Sequence, residues 1–194
     1  MSVIQINLEI VGLGIIFYSP YAVKSIREGE PYLMRHYNEP QDVLEHIYKG
    51  SIVGFCTGSP GKYVLNIFQN EKPKIEKLNP DYAIKLCIKV EDGEIFFRDL
   101  YALLRWSEEC SDDCKVKMEN GNYEVIVCSW LPQSGKRGDN QQINIYFIAK
   151  SELPKLRYIG VPFLPRYNKT IQLSLKNNGN RKINQPGVTT IKQF

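Results

Sequence analysis

The groups best placed to touch another molecule lie in two short polar runs, Ser134-Gly-Lys-Arg-Gly-Asp-Asn-Gln141 and Glu108-Glu-Cys-Ser-Asp-Asp-Cys114. The first gathers a hydroxyl (Ser134), two cations (Lys136, Arg137), a carboxylate (Asp139) and two amides (Asn140, Gln141). Such a set can hydrogen-bond and ion-pair with a partner, or close its own loop through side-chain to backbone bonds. The second offers four carboxylates, Glu108, Glu109, Asp112 and Asp113, around the only close cysteine pair, Cys110 and Cys114. As half of a zinc site that pair lacks two ligands, because the only histidines, His36 and His46, lie far upstream without a pairing pattern. The acids also oppose thiolate formation by like-charge repulsion. Two free thiols, and no metal or cofactor, are the expectation.

Other chemistries fail on spacing. Cys or Ser nucleophiles need a base, and both histidines fall in an N-terminal helical segment, with no Gly-x-Ser-x-Gly elbow anywhere. Ser59-Pro-Gly-Lys62 matches Ser-x-x-Lys, but proline and glycine prevent the helix that would bring lysine back onto serine. Gly61-Lys62 lacks the upstream glycine and following Ser or Thr of a phosphate loop, and Gly12-Leu-Gly14 lacks the third glycine of a dinucleotide fingerprint. Arg137-Gly-Asp139 matches an integrin-type tripeptide, and Asn168-Lys-Thr170 a glycosylation sequon, but nothing indicates secretion. A non-enzyme is expected.

With 194 residues, 43% hydrophobic and 24% charged, the chain is ordinary globular material able to bury a core. Five cysteines are an odd number, and Cys56, Cys87 and Cys128 lie in apolar runs, which suits buried thiols in a reducing, cytoplasmic setting. No apolar stretch approaches the length of a membrane helix, and the alternating start reads as a strand, not a leader. The net charge of +4 conceals an asymmetry: beyond Leu153 there are eight Lys or Arg and no acid. That end (Lys155, Arg157, Arg166, Lys169, Lys176, Arg181, Lys182, Lys192) could meet nucleic acid or an acidic partner, or be a solvated tail.

The elements that must position the polar loops are mainly β. Tyr123 to Trp130 and Gln142 to Ile148 carry apolar side chains on both faces, so they read as central strands of a covered sheet, flanking the loop from Leu131 to Asn140. Ile4 to Ile10 alternates, then changes phase at Gly12 and Gly14, suggesting a bulge in one long strand. Ser19-Pro20 starts a helix that Gly29 stops, and a second runs from Pro40 to Tyr48, ended by Gly50. Three hairpins are expected, at Gly58-Ser-Pro-Gly61, Asp92-Gly93 and Asn120-Gly121. Asn70 to Tyr82 reads as a surface connection, Arg98 to Trp106 as a short helix, Ser151 to Pro165 as an irregular edge, and Ile171 to Leu175 as a last edge strand. The fold expected is an antiparallel β-sandwich with two or three short helices. Residues 1–165 form one domain with a helical insertion near 19–50, and residues 166–194 a basic strand and flexible tail.

The run Glu91-Asp-Gly-Glu-Ile95, the Arg98-Asp-Leu segment, and Gly121-Asn-Tyr-Glu-Val125 continuing through Cys128 to Pro132 resemble small bacterial proteins of the competence nuclease-inhibitor type, and β-rich proteins grouped with toxin immunity proteins. The resemblance covers about residues 83–149. It implies a β-sandwich that binds another protein, such as a toxin or nuclease, and catalyses nothing. The helical insertion and basic tail depart from it. A protein-binding role is expected through Ser134, Lys136, Arg137, Asp139, Asn140 and Gln141, with Glu108, Glu109, Asp112 and Asp113 as a second surface. Nucleic-acid binding by the basic end is the alternative.

Overall fold

The computed structural model describes residues 3–156 and 161–164. Its strands are β1 (Ile4–Ile10), β2 (Gly14–Tyr18), β3 (Ile52–Cys56), β4 (Gly61–Gln69), β5 (Tyr82–Val90), β6 (Glu94–Asp99), β7 (Lys115–Lys117), β8 (Gly121–Ser129) and β9 (Gln141–Lys150). Three short helices accompany them, α1 (Tyr32–His36), α2 (Pro40–Lys49) and α3 (Ile75–Leu78). One sheet has the order β1-β4-β9-β8-β5, the other β3-β2-β6-β7. The class expected from the sequence is met, with one difference: β4 and β9 pair in parallel, Leu65 beside Ile143 and Ile67 beside Ile145. Those two strands are joined by a long excursion through the fold instead of a turn, which is what parallel neighbours require.

The period-2 pattern builds the core. Ile143, Ile145 and Phe147 of β9 point inward beside Tyr123, Val125 and Val127 of β8, all of them buried. Phe147 meets Phe17 of β2 edge-on at 6.0 Å and Phe97 of β6 at 6.4 Å, while Phe17 and Phe97 stack at 5.6 Å. These rings join the two sheets; each fully buried side chain of this size contributes about 1.5–3 kcal/mol by leaving water. On the opposite face of the larger sheet a second cluster forms, with Ala83, Ile126, Cys128 and Tyr146 buried under Ile75 and Leu78 of α3 and flanked by Phe68 and Trp130. The connection from Asn70 to Tyr82 is therefore a cover for β5 and β8, not merely a surface link.

All three expected hairpins are corrected. Each turn exists, but it carries the chain from one sheet to the other: β3 to β4, β5 to β6 and β7 to β8 belong to different sheets. At one end of the sandwich two of these turns hold each other, since Asn120 Oδ1 accepts from Gly93 N at 2.8 Å and Met118 N donates to Gly93 O, also at 2.8 Å. Ser19 Oγ accepts from the amides of Glu91 and Asp92 at the same place. The expected bulge at Gly12 is likewise a corner between sheets, β1 lying in one and β2 in the other. Asp99 holds that corner by accepting from Val11 N (2.8 Å) and Gly12 N (2.9 Å), and it also caps Tyr101 N (3.0 Å).

Of the helices, α2 matches its expectation, with Val43, Leu44 and Ile47 buried and Gly50 at φ +61° ending it. The helix expected after Ser19 shrinks to a 3-10 turn over Pro20–Val23, and the one before Trp106 to a 3-10 turn over Leu100–Leu103. His46 ties α2 to its neighbours: Nδ1 lies 2.8 Å from Ser51 Oγ and Nε2 3.2 Å from Tyr32 OH. Beyond β9 the chain returns to β3, where Cys56 N donates to Pro162 O and Leu164 N to Cys56 O, both at 2.9 Å. The edge strand at Ile171 to Leu175, the tail of residues 166–194 and the boundary at Pro165 lie outside the described residues.

Candidate functional site

The loop between β8 and β9 is built from a buried base and an exposed tip. At the base, Gln141 is 2% exposed; its Oε1 accepts from Gly138 N at 3.1 Å and its Nε2 donates to Ser129 Oγ at 2.9 Å. Ser129 Oγ in turn donates to Gln142 O at 2.8 Å. Gly138 (φ +75°) lies so close to the Pro60-Gly61 backbone that a Cβ on either glycine would overlap its neighbour, and its carbonyl accepts from Lys62 N at 2.6 Å. Only glycine fits this approach and this backbone angle. At the flank, Leu131 N donates to Asp81 Oδ2 at 2.8 Å.

The tip carries Ser134, Lys136, Arg137, Asp139 and Asn140, all exposed. Gly135 N donates to Pro132 O at 2.8 Å and Lys136 N to Ser134 Oγ at 3.3 Å, so the tip is a folded turn. Five of the six residues expected in this loop thus share one exposed surface. Gln141 does not: it closes the loop from inside and has no surface for a partner. Beside the tip lies a shallow depression of about 410 Å³ lined by Trp130, Leu131, Gln133, Asp139, Asn140 and Gln142, among others.

The acidic run is set on a different support. Trp106 is buried, Gly29 N donates to its carbonyl at 2.7 Å, and its own amide donates to Glu30 O at 2.9 Å. The Arg98 guanidinium covers the Trp106 ring at 5.0 Å and donates to Ser107 O at 2.6 Å. From this base Glu108, Glu109, Asp112 and Asp113 project into solvent. The contact brings in two acids from far upstream: Glu28 Oε2 accepts from Glu108 N at 3.2 Å, and Glu30 lies on the same turn. Nothing local in the sequence marks Glu28 and Glu30, since their partner segment lies about eighty residues away. Asp112 differs from the rest, because Lys115 Nζ at 2.7 Å holds its carboxyl below the ordinary range and offsets its charge. Arg27 and Arg35 border the surface beside Glu28 and Glu30.

All five cysteines are free thiols, with Cys56, Cys87 and Cys128 buried. Burial pushes Cys56 up to about 11 and Cys87 and Cys128 up to about 12. At Cys110 and Cys114 burial is again the leading cause of a raised pKa, with Asp113 adding to it at Cys114 and Asp112 a smaller contributor at Cys110. The repulsion expected from the acids is thus present but secondary. Among the described residues no group of three or more His, Cys, Asp or Glu is arranged to hold a metal, and no helix is long and apolar enough to cross a membrane. Of the basic end only Lys155 is described, and it is exposed.

No family model and no curated protein matches the sequence. The chain is similar to two solved structures. One is ComJ, inhibitor of the DNA degrading activity of NucA, from Bacillus subtilis, at 10% identity over 75% of this chain and 95% of that one, with a TM-score of 0.48. The other is the product of crocagin biosynthetic gene J, at 14% identity over 75% and 96%, with a TM-score of 0.49. The resemblance expected from residues 83–149 is thus met as a weak structural likeness.

Proposed function

We propose that this chain is a non-enzymatic protein-binding module of the inhibitor or immunity type. Its contact surface is the tip of the β8–β9 loop, with the acidic surface of Glu28, Glu108, Glu109 and Asp113 serving a basic partner. The observation that carries this reading is the construction of the loop: its base is held by buried hydrogen bonds and a glycine-on-glycine contact, while its tip presents two cations, a carboxylate, an amide and a hydroxyl. A surface ordered before binding loses little further entropy when a partner arrives, and complementary charge sets approach rate and choice of partner.

The test is capture of a partner from lysate of the source organism by the full chain, in parallel with Lys136→Ala/Arg137→Ala, with Glu108→Lys/Glu109→Lys, and with a chain ending at Pro165. A protein retained by wild type and by the truncation, and lost with either surface variant, supports the reading. A second reading, nucleic-acid binding, rests on the eight cations and absent acids beyond Leu153. It requires the opposite result: nucleic acid retained with a steep dependence on salt, lost on truncation and indifferent to the surface variants.

A further inference from the structure

We propose that the outer face of β1, β4 and β9, together with the depression beside Trp130, binds a neutral oligosaccharide. The site adjoins the exposed loop tip, whose Asp139 and Asn140 line one side of the depression, and its argument does not depend on the protein-binding reading. The cluster under α3 covers the β5–β8 half of the larger sheet and reaches Phe68 and Tyr146; on the rest of the outer face of β1, β4 and β9 register places five amide side chains, Gln5, Asn7 and Gln142 exposed and Asn66 and Asn144 half-buried. Gln5, Asn66 and Asn144 lie in one row across three strands; Asn7 and Gln142 lie in the next, with Val64 between them. Because Ser129 pairs with Ile143, the chain continues so that Trp130 stands at the end of the second row, beside Gln142. Asparagine is disfavoured in strands, and solvent-facing strand positions ordinarily carry charged or β-branched side chains. Amides here call for a reason other than sheet stability.

These amides are already oriented by one another. Gln5 Nε2 donates to Asn66 Oδ1 at 3.1 Å; Asn66 Nδ2 donates to Gln142 Oε1 at 3.1 Å and to Asn144 Oδ1 at 3.0 Å; Asn144 Nδ2 donates to Tyr146 OH at 3.2 Å. The chain of bonds leaves the Gln142 NH2, the Gln5 carbonyl oxygen and the whole Asn7 amide without partners among the described residues. The free groups of Gln5 and Gln142 belong to amides held in place by these bonds, and with Asn7 they offer both donors and acceptors, uncharged, across a face three strands or roughly 10 Å wide at the usual strand spacing.

A ligand suited to this face must itself both donate and accept, need no charge against the five amides, and offer an apolar face to an indole. Sugar hydroxyls each donate and accept, and the C–H face of a pyranose packs on an aromatic ring. A peptide adding to the sheet is excluded as occupant of this face, since strand addition uses a sheet's edge and not its face. The adjoining row of the same face sets Glu9 opposite Lys62, whose charges offset, so neither an anion nor a cation is favoured there.

The experiment is a printed array of neutral oligosaccharides probed with the full chain, followed by titration calorimetry with whichever sugars are retained. Saturable binding is expected, falling at least about tenfold in Gln142→Ala and in Trp130→Ala and unchanged in Lys136→Ala/Arg137→Ala. Gln142 is exposed, so its variant keeps the fold even if loss of Trp130 disturbs the cluster under α3. Trp106 is buried, so quenching of the accessible tryptophan emission on binding reports Trp130. No retained sugar anywhere on the array, or binding indifferent to both Gln142→Ala and Trp130→Ala, overturns the proposal.

Discussion

Replacing Gln141 by alanine separates a loop anchor from a contact residue. The wild-type side chain is buried and makes two hydrogen bonds, accepting from Gly138 N and donating to Ser129 Oγ. Each is worth about 1 kcal/mol net, and leaving the buried Gly138 N–H without an acceptor costs about 1–3 kcal/mol more. The sum is about 3–5 kcal/mol, or a fall in Tm of roughly 6–20 °C for a chain of this size. Urea denaturation of wild type, Gln141→Ala, Ser129→Ala and the double variant gives both the loss and the pairwise coupling, expected at about 1 kcal/mol. A loss for Gln141→Ala below about 0.5 kcal/mol, the range of an ordinary surface substitution, would refute the anchoring role and return Gln141 to the contact surface.

Gly138→Ala forces a side chain into a left-handed backbone against the Pro60 carbonyl, costing at least about 1–2 kcal/mol. Trypsin nicking at Lys136 and Arg137 in the native state is therefore expected to accelerate roughly 5- to 30-fold; an unchanged rate contradicts the fit. Asp99→Ala leaves three backbone amides without their carboxylate and is expected to lose about 3–5 kcal/mol in urea unfolding, with Asp99→Asn losing less because one acceptor oxygen remains. Burial lowers the pKa of His46 in the fold, so the native state binds fewer protons than the unfolded chain. Its contribution is present above the unfolded value of about 6.5 and is lost as pH falls through the native value. Stability measured from pH 7.5 to 5.5 should decline less steeply in His46→Gln. A thiol reagent at pH 8 should label Cys110 and Cys114 well before Cys56, Cys87 and Cys128, whose burial and raised pKa keep them protonated; uniform labelling contradicts the burial.

What the sequence made legible was whatever a single segment encodes. β8 and β9 were readable because both faces of each run are apolar, and α2 because Pro40 and Gly50 bracket an apolar stripe. The turns were readable as turns, since Gly93 does take φ +75°. A turn residue specifies only that the chain reverses. Whether the next strand pairs with the last or crosses to another sheet is decided by side chains elsewhere, here Asn120 Oδ1 on Gly93 N and Ser19 Oγ on the amides of Glu91 and Asp92. The expected class was therefore right although the hairpins that motivated it were not. The same division runs through the contact surfaces. Exposed charges at Lys136, Arg137, Glu108 and Glu109 were visible as composition. The burial of Gln141, the approach of Glu28 to Glu108 and the alignment of five amides over three strands were not, because each depends on a register or contact between distant segments.

The parallel pairing of β4 with β9 explains why loop base, depression and amide face occur together. Because the two strands run the same way, their N-terminal ends lie side by side, Tyr63 opposite Gln141. Gly61, the first residue of β4, and Gly138, three residues before β9, are thereby brought into contact. The loop itself is the turn of the antiparallel β8–β9 pair. Here β4 and β9 enter the sheet from separate connections, and the glycine contact ties those connections together. The loop from Trp130 to Asn140 can thus vary at its tip while its ends stay fixed by the sheet. The first outward residue of β9, Gln142, is placed between Trp130 on one side and the Asn66 amide on the other. A change in register between β4 and β9 would break all three features at once.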